Sequence, residues 1–288
     1  LFRSDITHPE TLAAPMQGME VVFHVAALLG STRQEQMYAV TVEGTRAVLS
    51  AAQSAGVRRV VHTSSVAALG VPESGPAREA QPLPIDENHT WNYPPGRWRY
   101  GYAKYLAEME VQKAVAGGLD AVIVNPSVVI GAGDLYRASS SIVMQVAQGK
   151  IPVKVAGGLN IVHIDDVVAG HLAALERGHT GERYILSGAN LPIPGLLNLI
   201  ADVAGVHPPR GILPVGLTRA FGTLVRWNER LISLPVGSDE LRLAGVYFYY
   251  DNRKALRELE LPEPHTARQA VEDAYAWFTE TIKAGTGG

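Results

Sequence analysis

The patterning of this chain predicts an α/β fold: a doubly wound parallel sheet followed by a smaller, mostly helical region. Three observations lead there. Short apolar runs alternate with segments of helical periodicity. The connections between them are only a few residues long, as in stacked strand–helix units. Beyond Pro192 the strand-like runs give way to helices.

Taken in order, Asp5-Ile6 reads as the end of a strand, and Pro9 to Met16 as a short helix stopped by Gly18. Met19 to Ala26 is a mostly apolar run, expected to be a parallel strand buried on both faces. Met37 to Ala55 is a helix, with Val40, Val42, Ala47, Val48, Leu49 and Ala52 on its apolar face and Gly56 as its cap. A strand through Val60 and Val61 then ends in three hydroxyls, Thr63-Ser64-Ser65. Residues 70–99 hold six prolines and read as a long loop, and loops of that length in compact domains are usually functional. Trp91, Tyr93 and Trp98 lie in it; they either line a substrate mouth or pack the loop down.

A helix carrying Tyr100 and Lys104 follows, then a strand over 119–125 that ends in Asn125-Pro126-Ser127. Downstream are a helix over 139–148, short strands over 152–156 and 160–164, a helix from Asp165 to Glu176 with an aspartate capping its start, and a strand over 182–186. Helices are expected over 195–204, 217–231, 253–259 and 267–283. The resulting division assigns 1–133 and about 160–190 to the sheet domain, and 134–159 and 191–288 to a second region.

The chemistry concentrates at two places. Tyr100 and Lys104 stand four apart, so on a helix their side chains share a face. An ammonium beside a phenol favours the phenolate, which makes the pair a usable proton donor and acceptor near neutral pH. Hydroxyls at the carboxyl end of a parallel strand can complete such a site by binding a substrate oxygen. A lone Tyr-x-x-x-Lys is a common spacing; its weight comes from the order strand, hydroxyls, loop, Tyr–Lys helix, strand.

Composition narrows the class. With 47% hydrophobic residues among 288, the chain can bury a sizeable core. A net charge of -3 gives no nucleic-acid footprint, and the absence of cysteine excludes disulfides and thiolate chemistry. No apolar run has the length of a membrane span and no signal peptide is visible, so a cytoplasmic protein is expected. His163-Ile164-Asp165-Asp166 lacks a second cluster with ligand spacing; it reads as a helix cap with a packed histidine, and no metal is expected. His24 reads as a core histidine, and Glu108 and Glu110 as solvated or paired with Lys104. No Gly-x-Ser-x-Gly elbow surrounds Ser65, which argues against a hydrolase.

His24-Val25-Ala26-Ala27, Thr41-Val42-Glu43-Gly44-Thr45, Thr63-Ser64-Ser65-Val66, Tyr100 to Lys104, Asn125-Pro126-Ser127, Gly131-Ala132-Gly133-Asp134 and Val162 to Asp166 occur in one order along nearly the whole chain. In this the chain resembles the extended short-chain dehydrogenase/reductases, a family of NAD-dependent epimerases and dehydratases. Within it the chain is most similar to the branch of dihydroflavonol-reductase-like and hopanoid-associated sugar-epimerase-like proteins. The resemblance implies a Rossmann-like sheet, NAD or NADP as cofactor, and a small-molecule substrate. It implies Ser65, Tyr100 and Lys104 as the catalytic set. It places Asp5 and Ile6 at the adenine, and Ala26, Ala27 and Thr63 along the cofactor. Pro126, Val128 and Val129 would lie beside the nicotinamide, and Val66 with Ser65 at the substrate; Trp91 and Tyr93 are substrate candidates from their place in the 70–99 loop.

Two departures from the family pattern matter. No Gly-x-x-Gly-x-x-Gly or Gly-x-Gly-x-x-Gly occurs, whereas the family opens with such a turn in a unit of roughly 30 residues. With Leu1 in place of Met, the expectation is an amino-terminally truncated copy that binds the dinucleotide poorly or not at all and whose NAD-versus-NADP choice is unreadable. Thr41 stands where epimerase-like members have asparagine, which leans toward a reductase. The alternatives are a sugar-nucleotide epimerase and an inactive or non-catalytic member. A dehydratase is disfavoured because Val66-Ala67 stand where that chemistry wants Asp-Glu. The amphipathic segment 217–231 either covers the substrate or contacts a second copy in a homodimer.

Overall fold

A computed structural model describes residues 1–28, 34–73, 82–134, 141–220 and 242–285. In chain order the strands are β1 (Val21–His24), β2 (Arg59–Thr63), β3 (Ala121–Pro126), β4 (Val128–Ile130), β5 (Lys154–Val155), β6 (Gly158–His163), β7 (Arg183–Leu186), β8 (Ala189–Pro192) and β9 (Ile212–Leu213). The helices are α1 (Ala13–Met16), α2 (Gln34–Tyr38), α3 (Gly44–Ser54), α4 (Arg99–Ala116), α5 (Ser141–Ala147), α6 (Ile164–Arg177), α7 (Ile193–Ala204), α8 (Arg253–Glu258) and α9 (Ala267–Gly285).

The main sheet runs β1-β2-β3-β7, parallel throughout. Strand alternation assigns its faces. Val60, Ala121 and Ile123 pack with Leu49 and Ala52 of α3 and Val111 of α4. Val61, Val122 and Val124 pack on the other face with Val167, Ala173 and Ala174 of α6 and with Ala255 and Leu259 around α8. Both faces of the central strands are therefore covered, which is why β2 and β3 read as unbroken apolar runs. A second sheet, β4-β6-β8, is backed by α5, α7 and α9 around Ile130, Ile161, Leu197, Ile200 and Val271.

Four expectations need correction. Asp5-Ile6 is not strand: the Asp5 carboxylate turns back to accept from the Thr7 amide (2.9 Å) and hydroxyl (2.7 Å), a local turn that replaces ladder pairing. Among the described residues β1 pairs with β2 alone, and Phe23 and Val25 are 40% and 60% exposed, so this strand is not buried on both faces. The predicted helix over 37–55 is interrupted by a π turn at Ala39–Glu43 before α3. The amide at the start of α6 is capped not by an aspartate but by His163, whose Nδ1 accepts from Asp165 N–H (3.1 Å). The predicted helix over 217–231 falls largely outside the described residues, and so does the start of that over 139–148.

Candidate active site

The carboxyl ends of parallel strands gather at one edge of a sheet, and here β2 delivers Thr63, Ser64 and Ser65 to that edge. Ser65 leaves the strand in extended conformation and caps the short turn Val66–Leu69, its Oγ accepting from Ala67 N–H at 3.2 Å. That turn packs against the first half of α4. Gly101 permits the approach: a Cβ there would stand 2.9 Å from the Ala67 carbonyl oxygen and 2.9 Å from the Trp91 ring. Tyr100, beside Gly101, packs in one cluster with Ala67, Trp98 and Leu243, and in another with Met37, Val42 and Ala103.

One helical turn on, Lys104 is 3% exposed, and its Nζ donates to the Thr63 carbonyl at 3.0 Å. Burial pulls this ammonium down to about 8, opposed by the nearby Glu108 carboxylate. Two histidines lie buried with it. His24 and His62 are register partners on β1 and β2, with ring centroids 5.2 Å apart. Desolvation and then the Lys104 charge bring His24 to about 4. Burial first, then His24 and Lys104, hold His62 well below the ordinary histidine range. His24 Nε2 donates to Thr45 Oγ1 (2.9 Å), because the Thr45 hydroxyl proton is committed to the Thr41 carbonyl (2.7 Å). Both imidazoles are therefore neutral at pH 7.

The remaining sequence-assigned residues divide in two. Thr63 holds Lys104 through its carbonyl, while its hydroxyl donates to His171 Nε2 at 2.8 Å. Ala26 and Ala27 follow β1 at the same sheet edge, Pro126 ends β3 buried, and Val128 and Val129 are half-buried in β4. Val66 is buried in the turn after Ser65, and half-buried Trp91 and Tyr93 join the cluster around Tyr100. Trp91 reaches Trp98, Tyr102 and Tyr105 at 5.5 to 6.1 Å between ring centroids. The second group is Asp5 and Ile6: Ile6 packs with Leu12, Met16 and Val48 under Gly44 and also lines a cavity with Thr7 and Glu43, and the exposed Asp5 carboxylate accepts from Thr7.

Of the two glutamates of α4, Glu110 is neither solvated nor paired with Lys104, whereas Glu108 does interact with the Lys104 charge but from a buried position. Glu110 is buried in ion pairs with Arg46 (2.8 Å) and Lys113 (2.7 Å), which hold it at about 2. Glu108 is fully buried, and burial raises its pKa. It accepts from the Ser64 hydroxyl (2.5 Å) and the Asn125 amide (2.6 Å). The available signal was spacing: Glu108 lies four residues past Lys104 and eight past Tyr100, on their helix face. Among the described residues no group of three or more His, Asp or Glu is arranged to hold a metal ion, and no helix is long and apolar enough to cross a membrane.

Comparison with known proteins adds to this geometry. The profile of the NAD dependent epimerase/dehydratase family matches residues 1–187. A Synechocystis sp. protein named dihydroflavonol 4-reductase is 36% identical over 277 residues, covering 91% of this chain and 77% of that protein. Sterol demethylase protein B of Methylococcus capsulatus is 32% identical over 285 residues, covering 96% and 84%. The crystal structure of gox2253 superimposes with a TM-score of 0.81 at 36% identity, covering 96% of this chain and 84% of that one.

Proposed function

The chain belongs to the NAD-dependent epimerase/dehydratase family, and we propose that it is an NAD(P)-dependent reductase that interconverts a carbonyl and an alcohol on a small organic substrate. The observation that carries this reading is the buried Lys104 ammonium at the carboxyl end of β2, one helical turn from Tyr100. An ammonium is costly to bury even with the Glu108 carboxylate nearby, and a structural role would be met by an apolar side chain of the same length.

The residues present fit the nicotinamide end of the cofactor. Among the described residues Lys104 Nζ spends one of its three donors, on Thr63, and the other two suit the hydroxyls of a ribose. No glycine-rich phosphate turn occurs in these 288 residues, so the pyrophosphate enters no step here. When bound, the nicotinamide supplies hydride to the substrate carbon or accepts it. Tyr100 gives its phenolic proton to the carbonyl oxygen in reduction and takes it back in oxidation. Ser65 holds that oxygen: its lone pair serves Ala67 N–H, which leaves the hydroxyl proton to donate. The Lys104 charge eases loss of the phenolic proton.

Relatives that carry reductase names favour a reductase over a sugar-nucleotide epimerase. The test is to supply NADH or NADPH with a panel of small ketones and to follow loss of the reduced nicotinamide. Consumption of cofactor and its abolition in Tyr100→Phe are expected. Isomerisation of a sugar nucleotide without net cofactor consumption would replace this reading with the epimerase.

A further inference from the structure

One carboxylate behind the Tyr100–Lys104 pair joins three elements. Glu108 Oε1 receives the Ser64 hydroxyl from β2 and the Asn125 amide from β3, at 2.5 and 2.6 Å. The same Asn125 amide donates to the Ser65 carbonyl at 2.9 Å, which also accepts from Ala68 N–H at 3.0 Å. Ser64, Glu108 and Asn125 are all buried, and Arg183 of β7 stands 3.6 Å from the second carboxylate oxygen. Such a network is an expensive way to hold a helix on a sheet, because apolar residues of like volume do it at no desolvation cost. What it supplies and apolar packing does not is direction at the Ser65 peptide.

We propose that Glu108 is a positioning residue: through Ser64 and Asn125 it fixes how the chain leaves β2 at Ser65, and so where the Ser65 hydroxyl stands against the Tyr100 helix. The proposal rests on the assignment of Ser65, Tyr100 and Lys104 as the reacting set. Glu108 itself touches none of the reacting atoms.

Two amides report on Ser65 directly, because Ala67 N–H donates to its Oγ and Ala68 N–H to its carbonyl. Hydrogen exchange on the full chain should show Glu108→Ala accelerating these two amides about tenfold, on the scale of one lost hydrogen bond, while those of α6 and β7 keep their rates. Glu108→Gln retains an acceptor oxygen for both donors and should restore wild-type exchange. Turnover should follow: kcat falls in Glu108→Ala with KM for NAD(P)H unchanged, and returns in Glu108→Gln. Unchanged exchange at Ala67 and Ala68, uniform acceleration across the sheet, or altered exchange with unaltered kcat would each overturn the proposal. If Glu108→Ala does not fold, Asn125→Ala removes the bond to Ser65 itself and is read at the same amides. Failure of the underlying assignment looks different: Tyr100→Phe would keep turnover while the exchange pattern stood.

Discussion

Replacing Lys104 by methionine should abolish turnover and yet stabilise the fold. The lysine drops from its ordinary 10.5 to about 8 on burial, which is about 3 kcal/mol of strain in the charged form at pH 7. Methionine keeps the length and removes the charge; losing the bond to the Thr63 carbonyl offsets about 1 kcal/mol. The net gain is about 2 kcal/mol at pH 7. The sign has a pH signature. The folded-state pKa is depressed, so between pH 8 and 10.5 the unfolded wild type binds more protons than the folded one, and wild-type stability rises through that window. The advantage of Lys104→Met should therefore shrink from pH 8 upward, vanish at about pH 10 and turn into a deficit of about 1 kcal/mol above it, where only the lost bond to Thr63 remains. Urea unfolding of both proteins at several pH values, followed by circular dichroism, gives the difference directly. A variant less stable than wild type at pH 7, or an advantage that does not change across the window, would refute the argument that Lys104 is a buried charge held at a cost.

Other outcomes follow from the same geometry. Tyr100→Phe should lower kcat by at least about a hundredfold, the usual range for a lost general acid, with cofactor affinity retained in a fluorescence titration. Gly101→Ala pushes a methyl into the Ala67 carbonyl and the Trp91 and Trp98 rings; a loss of about 1–3 kcal/mol in unfolding and a fall in turnover are expected as the Ser65 turn is driven off α4. The Asp166 carboxylate, 2.7 Å from His265, raises that histidine above its ordinary value. Its contribution is thus present below the ordinary histidine pKa and lost as pH rises through the raised one. In Asp166→Asn the His265 ring should titrate lower, as read by NMR.

The core of the sheet was legible because β2 and β3 lie between two helical layers and must be apolar on both faces. β1 was misjudged for the same reason: its residues are as apolar, but apolarity in a sequence does not say which neighbours a strand has. Asp5-Ile6 failed because a side chain that bonds its own backbone competes with ladder pairing over so short a stretch. β8, a short run ending in proline, gave no periodic signal at all; its pairing with β6 across Asn160 and Asn190 is decided by tertiary contact.

At the site the division is similar. Tyr100, Lys104 and the hydroxyls after β2 were fixed by the chain alone, since helix spacing and a strand end are local properties. That Lys104 is desolvated, that two neutral histidines lie buried with it, and that Glu108 ties Ser64 to Asn125 are decided only when β1, β2, β3 and α4 come together. Protonation and hydrogen-bond partners depend on what surrounds a group in space, and residues 24, 62, 64, 108 and 125 are neighbours only in the folded chain.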